Sequence, residues 1–219
     1  MVQTIPARDI SLYELEEKFS LQLSPDINFF PEWTENLPTL TDDEQEAMST
    51  TGYAYARVKS NYLNLNKHRL MSEEAVKMVV LSPLLDLAGF YQPPFEIETE
   101  TSVEISAKDE SFLVKGNIDV FVIQKSFWVL VIESKSSKFD VMTALPQSLA
   151  YMLDCPNPTQ PTFGLLINGR EFVFVKLIQQ EHSWYAGSYA LSIERDSELH
   201  QVLSILKRLG ELIVPLSPE

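Results

Sequence analysis

Two carboxylates and one lysine stand at the ends of two apolar runs in the segment GNIDVFVIQKSFWVLVIESKSS, residues 116–137. Asp119 and Glu133 are separated by 13 residues, and Lys135 follows Glu133 after one residue. A carboxylate beside a buried strand is costly to desolvate unless it is paired, hydrogen-bonded or bound to a metal. Two carboxylates with a lysine are suited to holding Mg²⁺ and to hydrolysing a phosphodiester bond.

A β-hairpin would bring these three residues together. The two apolar runs predict two strands joined by the short polar turn QKS, and Asp119 then falls roughly opposite Glu133. Residues two apart on a strand point to the same face, so Lys135 is expected beside Glu133. The second run is apolar on both faces, which is typical of a strand in the middle of a covered sheet.

Helical and strand patterns alternate around this hairpin. The segment SEEAVKMVVLSPLLDLAG predicts a helix with Ser72 as N-cap and an end at Gly89, kinked or divided at Pro83. The alternation in FEIETETSVEISA predicts a half-solvated antiparallel strand with one apolar face. The residues of this strand expected on that face are Phe95, Ile97, Thr99, Thr101, Val103 and Ile105. Downstream, VMTALPQSLAYMLDC predicts a helix that starts late, at Pro146.

The remaining segments complete a mixed fold. A strand pair is expected around Asn168-Gly169, then a strand in SWYAGSYALSI and a helix with Asp196 or Ser197 as N-cap. Residues 1–70 predict a helical or irregular extension, in which Ser11 and Glu14 form a capping box. For the segment TTGYAYARVKSNYLNLN, residues 50–66, both a helix and a strand remain possible. Residues 71–219 form the core. The expected fold class is α/β (α+β), a central mixed sheet flanked by helices.

Composition sets the broad class of protein. The chain has 219 residues, 45% of them hydrophobic, and no apolar run near the roughly 20 residues of a membrane helix, so we expect one soluble domain. No secretory signal is visible at the start, which makes the cytoplasm the expected location. The single cysteine, Cys155, excludes an intramolecular disulfide. The formal charge of −14 argues against nonspecific coating of nucleic acid and is compatible with a locally basic groove.

The spacing of the charged residues resembles a known motif. Asp119, 13 intervening residues and Glu133-Ser-Lys135 resemble the PD-(D/E)xK nuclease core, with Ile118 at the position of the proline. The segment SEEAVKMVVLSPLLDLAGF is similar to the first core helix in the N-terminal nuclease domain of type I restriction enzyme R subunits.

By this resemblance Glu73 is an active-site acid, with Glu74 as the alternative, and Lys77 is a basic position one turn later. Gln147 and Tyr151 match the Q-xxx-Y element of the same subunits and of RecB-like nucleases, and their spacing of four places them on one helix face. The resemblance covers roughly residues 70–170.

The resemblance implies a restriction-endonuclease-like core and a Mg²⁺-dependent DNA endonuclease in which Mn²⁺ can substitute. Asp119, Glu133 and Glu73 would be the metal-binding acids, and Lys135 would position the attacking water. Gln147 and Tyr151 would orient the lysine or the DNA backbone. DNA is the implied substrate; other subunits of a restriction-modification system and a second copy of the chain are further partners to test. No Walker-type GxxxxGK[ST] motif occurs, so the motor of the R subunit is missing from this sequence.

A structural interpretation competes with each assignment. Asp119 at a strand end can bond to a turn, Glu133 and Lys135 can form a surface ion pair, and an acid such as Glu73 is common in a first helical turn. Gln147 and Tyr151 can be the inward edge of a helix. The second functional hypothesis is a catalytically silent nuclease fold that binds a basic protein partner through its acidic surface.

Overall fold

The structure is a computed structural model that describes residues 3–48, 58–107, 112–124 and 127–212. Within these residues it contains one mixed sheet with helices packed against it. The strands are β1 (Gln3–Pro6), β2 (Leu21–Leu23), β3 (Glu96–Ser106), β4 (Phe112–Gln124), β5 (Phe127–Ser134), β6 (Thr162–Ile167), β7 (Glu171–Ile178), β8 (Ser183–Gly187) and β9 (Leu191–Ser192). The helices are α1 (Leu12–Phe19), α2 (Asp42–Met48), α3 (Val58–Asn66), α4 (Glu73–Val76), α5 (Ser82–Leu87), α6 (Leu145–Leu153) and α7 (Asp196–Glu211).

The central sheet has the order β1-β4-β5-β6-β7-β8-β2, with β3 also paired to β4 and β9 to β7. Strands β3, β4 and β5 are antiparallel neighbours, and β6 runs parallel to β5. A parallel pair requires a crossover connection, which α6 provides here. The predicted α/β class with a central mixed sheet flanked by helices is therefore confirmed.

Two apolar cores lie on the two faces of this sheet. Leu130 and Ile132 of β5 join the core beneath α4, α5 and α7, while Val131 between them joins the core beneath α6 and α1. Successive strand residues point to opposite faces, so β5 is buried on both sides as its composition predicts. This strand carries Glu133 near its end and is therefore a rigid support.

The predicted helix before β3 consists of three consecutive pieces. Ser72 caps α4 by accepting a hydrogen bond from the Ala75 N–H at 3.3 Å. Residues Lys77–Leu81 then form a π-helical turn, and α5 begins immediately before Pro83. Pro83 lacks the N–H of a regular helix, so the predicted break takes the form of this wider turn. Helix α5 ends at Leu87, and Gly89, two residues later, has the positive φ of 83° that often follows a helix end.

The first 70 residues contribute strands that the sequence did not predict. Strand β1 pairs in parallel with β4, and β2 pairs in parallel with β8, so both belong to the central sheet. A helical or irregular assignment is wrong for these two strands, whereas the capping box of Ser11 and Glu14 is present. The division at residue 70 stays a prediction. Of the segment left open, residues 58–66 are helical and residues 50–57 lie outside the described part.

Two further boundaries differ from the sequence-based expectation. SWYAGSYALSI forms two short strands, both paired with β7. The N-cap of α7 is Arg195 instead of Asp196 or Ser197. Glu198 explains the earlier start, because it accepts hydrogen bonds from the Ser192 N–H at 2.7 Å and from Arg195 at 2.6 Å. Over the described chain, no helix has both the length and the apolar character needed to cross a membrane.

Candidate active site

The β4–β5 hairpin brings the two carboxylates to the same level of the sheet. Val120 pairs with Ile132, so Asp119 and Glu133 are the next positions away from the turn, as the spacing predicted. Asp119 is 8% exposed and Glu133 is 1% exposed. The surface ion-pair interpretation is therefore excluded for Glu133.

Asp119 accepts hydrogen bonds on both carboxylate oxygens. The Ser134 N–H donates to Oδ2 at 2.8 Å, and Lys77 Nζ lies 3.4 Å from Oδ1. Lys77 also pairs with Glu74 at 2.7 Å. Burial of Lys77 opposes its charge, but the hydrogen bond to Glu74 and the charge of Asp119 outweigh burial and raise the pKa of Lys77. A cationic Lys77 and a backbone donor thus hold Asp119 in place.

A backbone irregularity lies across the β3–β4 ladder from Asp119. The ladder pairs Thr99 with Val120 and Thr101 with Ile118, and Glu100 between them has a φ of 54°. The predicted single apolar face of β3 is wrong, because the face changes at this point. Phe95 and Ile97 pack on the core beneath α4, α5 and α7, whereas Val103 and Ile105 belong to the core beneath α6. Such irregularities often reposition side chains beside functional sites.

Glu133 has a less complete set of partners. Lys135 Nζ lies 2.6 Å from Oε1, whereas Oε2 is buried and has no hydrogen-bond partner among the described residues. Burial, followed by the charge of Asp119, raises the pKa of Glu133 to about 8. A buried acceptor without a partner calls for an explanation, and a bound cation is one that fits a carboxylate.

A chain of hydrogen bonds leads from Glu133 into α6. Lys135 Nζ donates to Gln147 Oε1 at 3.0 Å, and Gln147 Nε2 donates to the Tyr151 hydroxyl at 2.9 Å. Tyr151 is buried, and burial raises its pKa, so the hydroxyl stays protonated. The predicted common face of Gln147 and Tyr151 is therefore the face that contacts the lysine of β5.

Gly116 is a site residue that the sequence reasoning missed. A Cβ at this position would lie 2.5 Å from the Tyr151 hydroxyl and 2.7 Å from Ala7 Cβ, closer than non-bonded atoms approach. The next residue, Asn117, bonds to the same hydroxyl through its backbone N–H. Glycine inside a strand was the available signal, since it often marks a close approach of another group.

Glu73 lies within electrostatic reach of this cluster. Burial, followed by the charge of Asp119, raises the pKa of Glu73, while Lys135 and Lys77 act in the opposite direction. Glu74, the alternative acid, is 77% exposed and pairs with Lys77. Both acids therefore adjoin the cluster: Glu73 is half-buried and senses the charge of Asp119, whereas Glu74 lines the same groove as Asp119.

The donor set fits a divalent cation that is bound only partly by protein. Among the described side chains, no group of three His, Cys, Asp or Glu residues is arranged to hold a metal ion by itself. Mg²⁺ commonly takes one or two carboxylates and completes its shell with water and substrate phosphate oxygens. Buried Asp119 and the free Oε2 of Glu133 meet that requirement, and Glu73 as a third ligand stays a prediction.

Two grooves border the cluster. The Asp119 groove, of about 390 Å³, is lined by Asp119, Glu74, Glu100 and Lys77 among others. The lining of the Glu73 groove, of about 1040 Å³, consists of Leu65, His68, Arg69, Leu70, Met71, Ser72, Glu73, Ala75, Ser136, Lys138 and Phe139. Asp119 is thus reached from the first groove, and Glu73 from the second.

In comparisons with known proteins, no family model matches the chain and no curated protein sequence matches it. The nuclease resemblance thus rests on the motif residues and on the order of the elements that carry them. The structure brings Asp119, Glu133, Lys135, Gln147 and Tyr151 into one connected cluster, with Glu73 at its margin. Their catalytic roles remain proposals.

Proposed function

We propose that this chain is a Mg²⁺-dependent DNA endonuclease of the PD-(D/E)xK type, with a restriction-endonuclease-like core. The observation that carries the proposal is the buried cluster of Asp119, Glu133 and Lys135, in which Glu133 Oε2 lacks a partner. The order of elements supports it: the helix with Glu73, the strands with Asp119 and Glu133, and the helix with Gln147 and Tyr151 follow one another as the resemblance implies. Mn²⁺ is expected to replace Mg²⁺.

Each residue has a role that its contacts support. Asp119 and Glu133 hold the cation, which when bound supplies positive charge for the phosphate oxygens and lowers the pKa of a bound water. Lys135 Nζ lies between Glu133 Oε1 and Gln147 Oε1, so one of its protons is left to orient the attacking water or the phosphate. Gln147 and Tyr151 keep that ammonium group in position.

Glu73 and Lys77 lie on the helical side of the cluster. Glu73 would act on the water shell of the cation, and its pKa, raised by burial and by the charge of Asp119, makes it a better proton acceptor than an ordinary glutamate. Lys77 holds Asp119 by a hydrogen bond to Oδ1. Other subunits of a restriction-modification system and a second copy of the chain remain partners to be tested by co-purification and light scattering.

A cleavage assay tests the proposal. Supercoiled plasmid and single-stranded circular DNA are incubated with the full chain and Mg²⁺, Mn²⁺ or EDTA, and nicked and linear products are measured. We expect metal-dependent cleavage by the wild type and its loss in Lys135→Ala and Asp119→Asn. Lys115→Ala is the matched control, because Lys115 forms an ion pair with Glu104 in which both side chains are about half exposed. A wild type that cuts nothing and binds neither cation overturns the proposal.

The formal charge of −14 favours a second candidate, a nuclease fold that binds a basic protein and has no activity. The same titration separates the two candidates, because a silent interaction protein has no need of a cation at Glu133. Calorimetry with Mg²⁺ that shows no binding, together with salt-sensitive binding of a cationic protein such as a histone, would favour this second candidate.

A further inference from the structure

The Glu73 groove differs in charge from the rest of this acidic chain. Its lining includes Arg69, Lys138 and His68, and Glu73 is the one acid that lines it within the described residues. The whole chain has 31 acidic and 17 basic residues, so a groove with more bases than acids stands out. The Asp119 groove follows the general trend, with three acids and one lysine. A phosphate backbone is therefore attracted to the Glu73 side of the cluster.

Hydrogen bonds between two chain segments fix the walls of this groove. Ser136 Oγ donates to the Met71 carbonyl oxygen at 2.9 Å, and the Met71 N–H donates to Ser137 Oγ at 2.8 Å. Asn168 Nδ2 donates to the carbonyl oxygen of Phe139 at 3.0 Å. The backbone that carries Phe139 is thus tied to the β6–β7 turn.

Exposed apolar side chains lie beside these cations. Phe139 is 57% exposed, Leu70 is 49% exposed and Leu65 is 44% exposed, and all three line the groove. Proteins that bind unpaired nucleic acid combine cations for the backbone with aromatic side chains on which bases stack. Bases within a duplex are already stacked and cannot use Phe139, and a duplex gains its affinity from many phosphate contacts that so acidic a chain does not offer.

We propose that the Glu73 groove binds an unpaired DNA strand, with Arg69 and Lys138 on its phosphates and Phe139 stacked on a base. This inference rests on the proposed nuclease function and specifies its substrate as DNA with a single-stranded segment beside the phosphate that is cut. Glu73 lines this groove, and Ser136, which also lines it, directly follows Lys135 in the chain, so a strand bound there passes beside the cluster.

Binding without cleavage tests the inference independently of catalysis. Fluorescence anisotropy in EDTA compares a labelled oligo-dT with a hairpin duplex of equal phosphate count, using the full chain. We expect the single strand to bind more tightly, Phe139→Ala to weaken that binding by about tenfold and Lys138→Ala to reduce the slope of log affinity against log salt by about one. Tyr13→Ala is the control for an exposed aromatic, since Tyr13 is 69% exposed and lies outside the groove.

The outcomes separate this inference from the nuclease proposal. Tighter binding of the duplex, or equal affinity of Phe139→Ala and wild type for oligo-dT, overturns the groove assignment even if the chain cuts DNA. Binding of oligo-dT that Phe139→Ala weakens, without any cleavage in Mg²⁺, supports the groove assignment and overturns the proposed nuclease function. Stronger binding of oligo-rU than of oligo-dT overturns the choice of DNA.

Discussion

The two carboxylates of the site differ in how the fold satisfies them. In the Asp119 half, the carboxylate receives the Ser134 N–H at 2.8 Å and has Lys77 at 3.4 Å. In the Glu133 half, the carboxylate has Lys135 at 2.6 Å and one buried oxygen without a hydrogen-bond partner among the described residues. Each oxygen of Asp119 therefore has a donor from the protein, whereas one oxygen of Glu133 has none among the described residues.

This difference assigns different tasks to the two halves. Asp119 is held on both oxygens by donors that the fold fixes, so it serves as an anchor. Glu133 is buried with a pKa raised to about 8, so near neutral pH its protonated form is favoured until a cation compensates the charge. The Glu133 half is thus the part of the site that must change when a ligand binds, and its substitutions should affect stability in the opposite sense from those of Asp119.

The largest effect is expected from Asp119→Asn. The change removes a charged acceptor from the Ser134 N–H and from Lys77, so we expect a loss of about 1.5–3 kcal/mol in the free energy of unfolding. It also removes one of the two carboxylates proposed to hold the cation, and cleavage should fall by at least about a hundredfold. Urea unfolding in EDTA and plasmid cleavage in Mg²⁺ measure the two effects.

Asp9→Asn is the matched control for that change, since Asp9 is an exposed aspartate whose nearest ion-pair contact, with Arg8, is 3.9 Å long. It should leave both quantities within experimental error of the wild type. Equal stability of Asp119→Asn and Asp9→Asn would contradict the anchoring role of Asp119.

Glu133→Gln, unlike Asp119→Asn, should become more stable relative to the wild type as pH rises. A folded-state pKa of about 8, raised above the ordinary value near 4.5, means that the folded state keeps a proton that the unfolded chain releases. Wild-type stability therefore falls as pH rises from about 4.5 to about 8, and glutamine, which does not ionise, removes this loss. In EDTA the stability of Glu133→Gln relative to wild type should increase across that window by an amount on the order of a few kcal/mol.

Thermal and urea unfolding at a series of pH values check this prediction. Glu104→Gln serves as the control, because Glu104 forms an exposed ion pair with Lys115 and such surface pairs contribute little to stability. A difference for Glu133→Gln that does not vary between pH 5 and pH 8 would show that Glu133 is accommodated as an anion.

The sequence was informative about the Glu133 half because its geometry follows from regular spacing. A hairpin with a short turn sets Asp119 opposite Glu133, period two places Lys135 beside Glu133, and a spacing of four aligns Gln147 with Tyr151. These relations depend on local periodicity, which a single sequence displays. The β-strand, turn and helix patterns around them were predicted for the same reason.

The contacts that complete the Asp119 half depend on features that the pattern conceals. The left-handed backbone at Glu100 lies inside a run of five polar residues, 98–102, so no apolar side chain there marks the change of face. Strands β1 and β2 are short, and their pairing is decided by distant partners in β4 and β8. Long-range register of this kind cannot be obtained from local periodicity.

A smaller effect is expected from Gly116→Ala, which acts on the Glu133 half through Tyr151, the hydrogen-bond partner of Gln147. The added methyl group would collide with the Tyr151 hydroxyl and with Ala7, so we expect a loss of about 1–3 kcal/mol in the free energy of unfolding. Gly187→Ala is the matched strand control, because its Cβ would meet its nearest neighbour at 3.6 Å, an ordinary contact. If both substitutions have the same effect on urea unfolding, the close approach of Tyr151 to Gly116 is wrong.

The smallest effect should come from Lys77→Met. Asp119 keeps the Ser134 N–H, so the loss of one donor at 3.4 Å should lower the free energy of unfolding by about 1 kcal/mol and cleavage by less than Lys135→Ala does. Lys18→Met, which removes a lysine paired with Glu17 at the surface, is the control for loss of a charge. Asp119 has a second donor and Glu133 does not, so removal of Lys77 should reduce cleavage less than removal of Lys135. Equal losses of cleavage in Lys77→Met and Lys135→Ala would mean that both halves take part directly in the reaction.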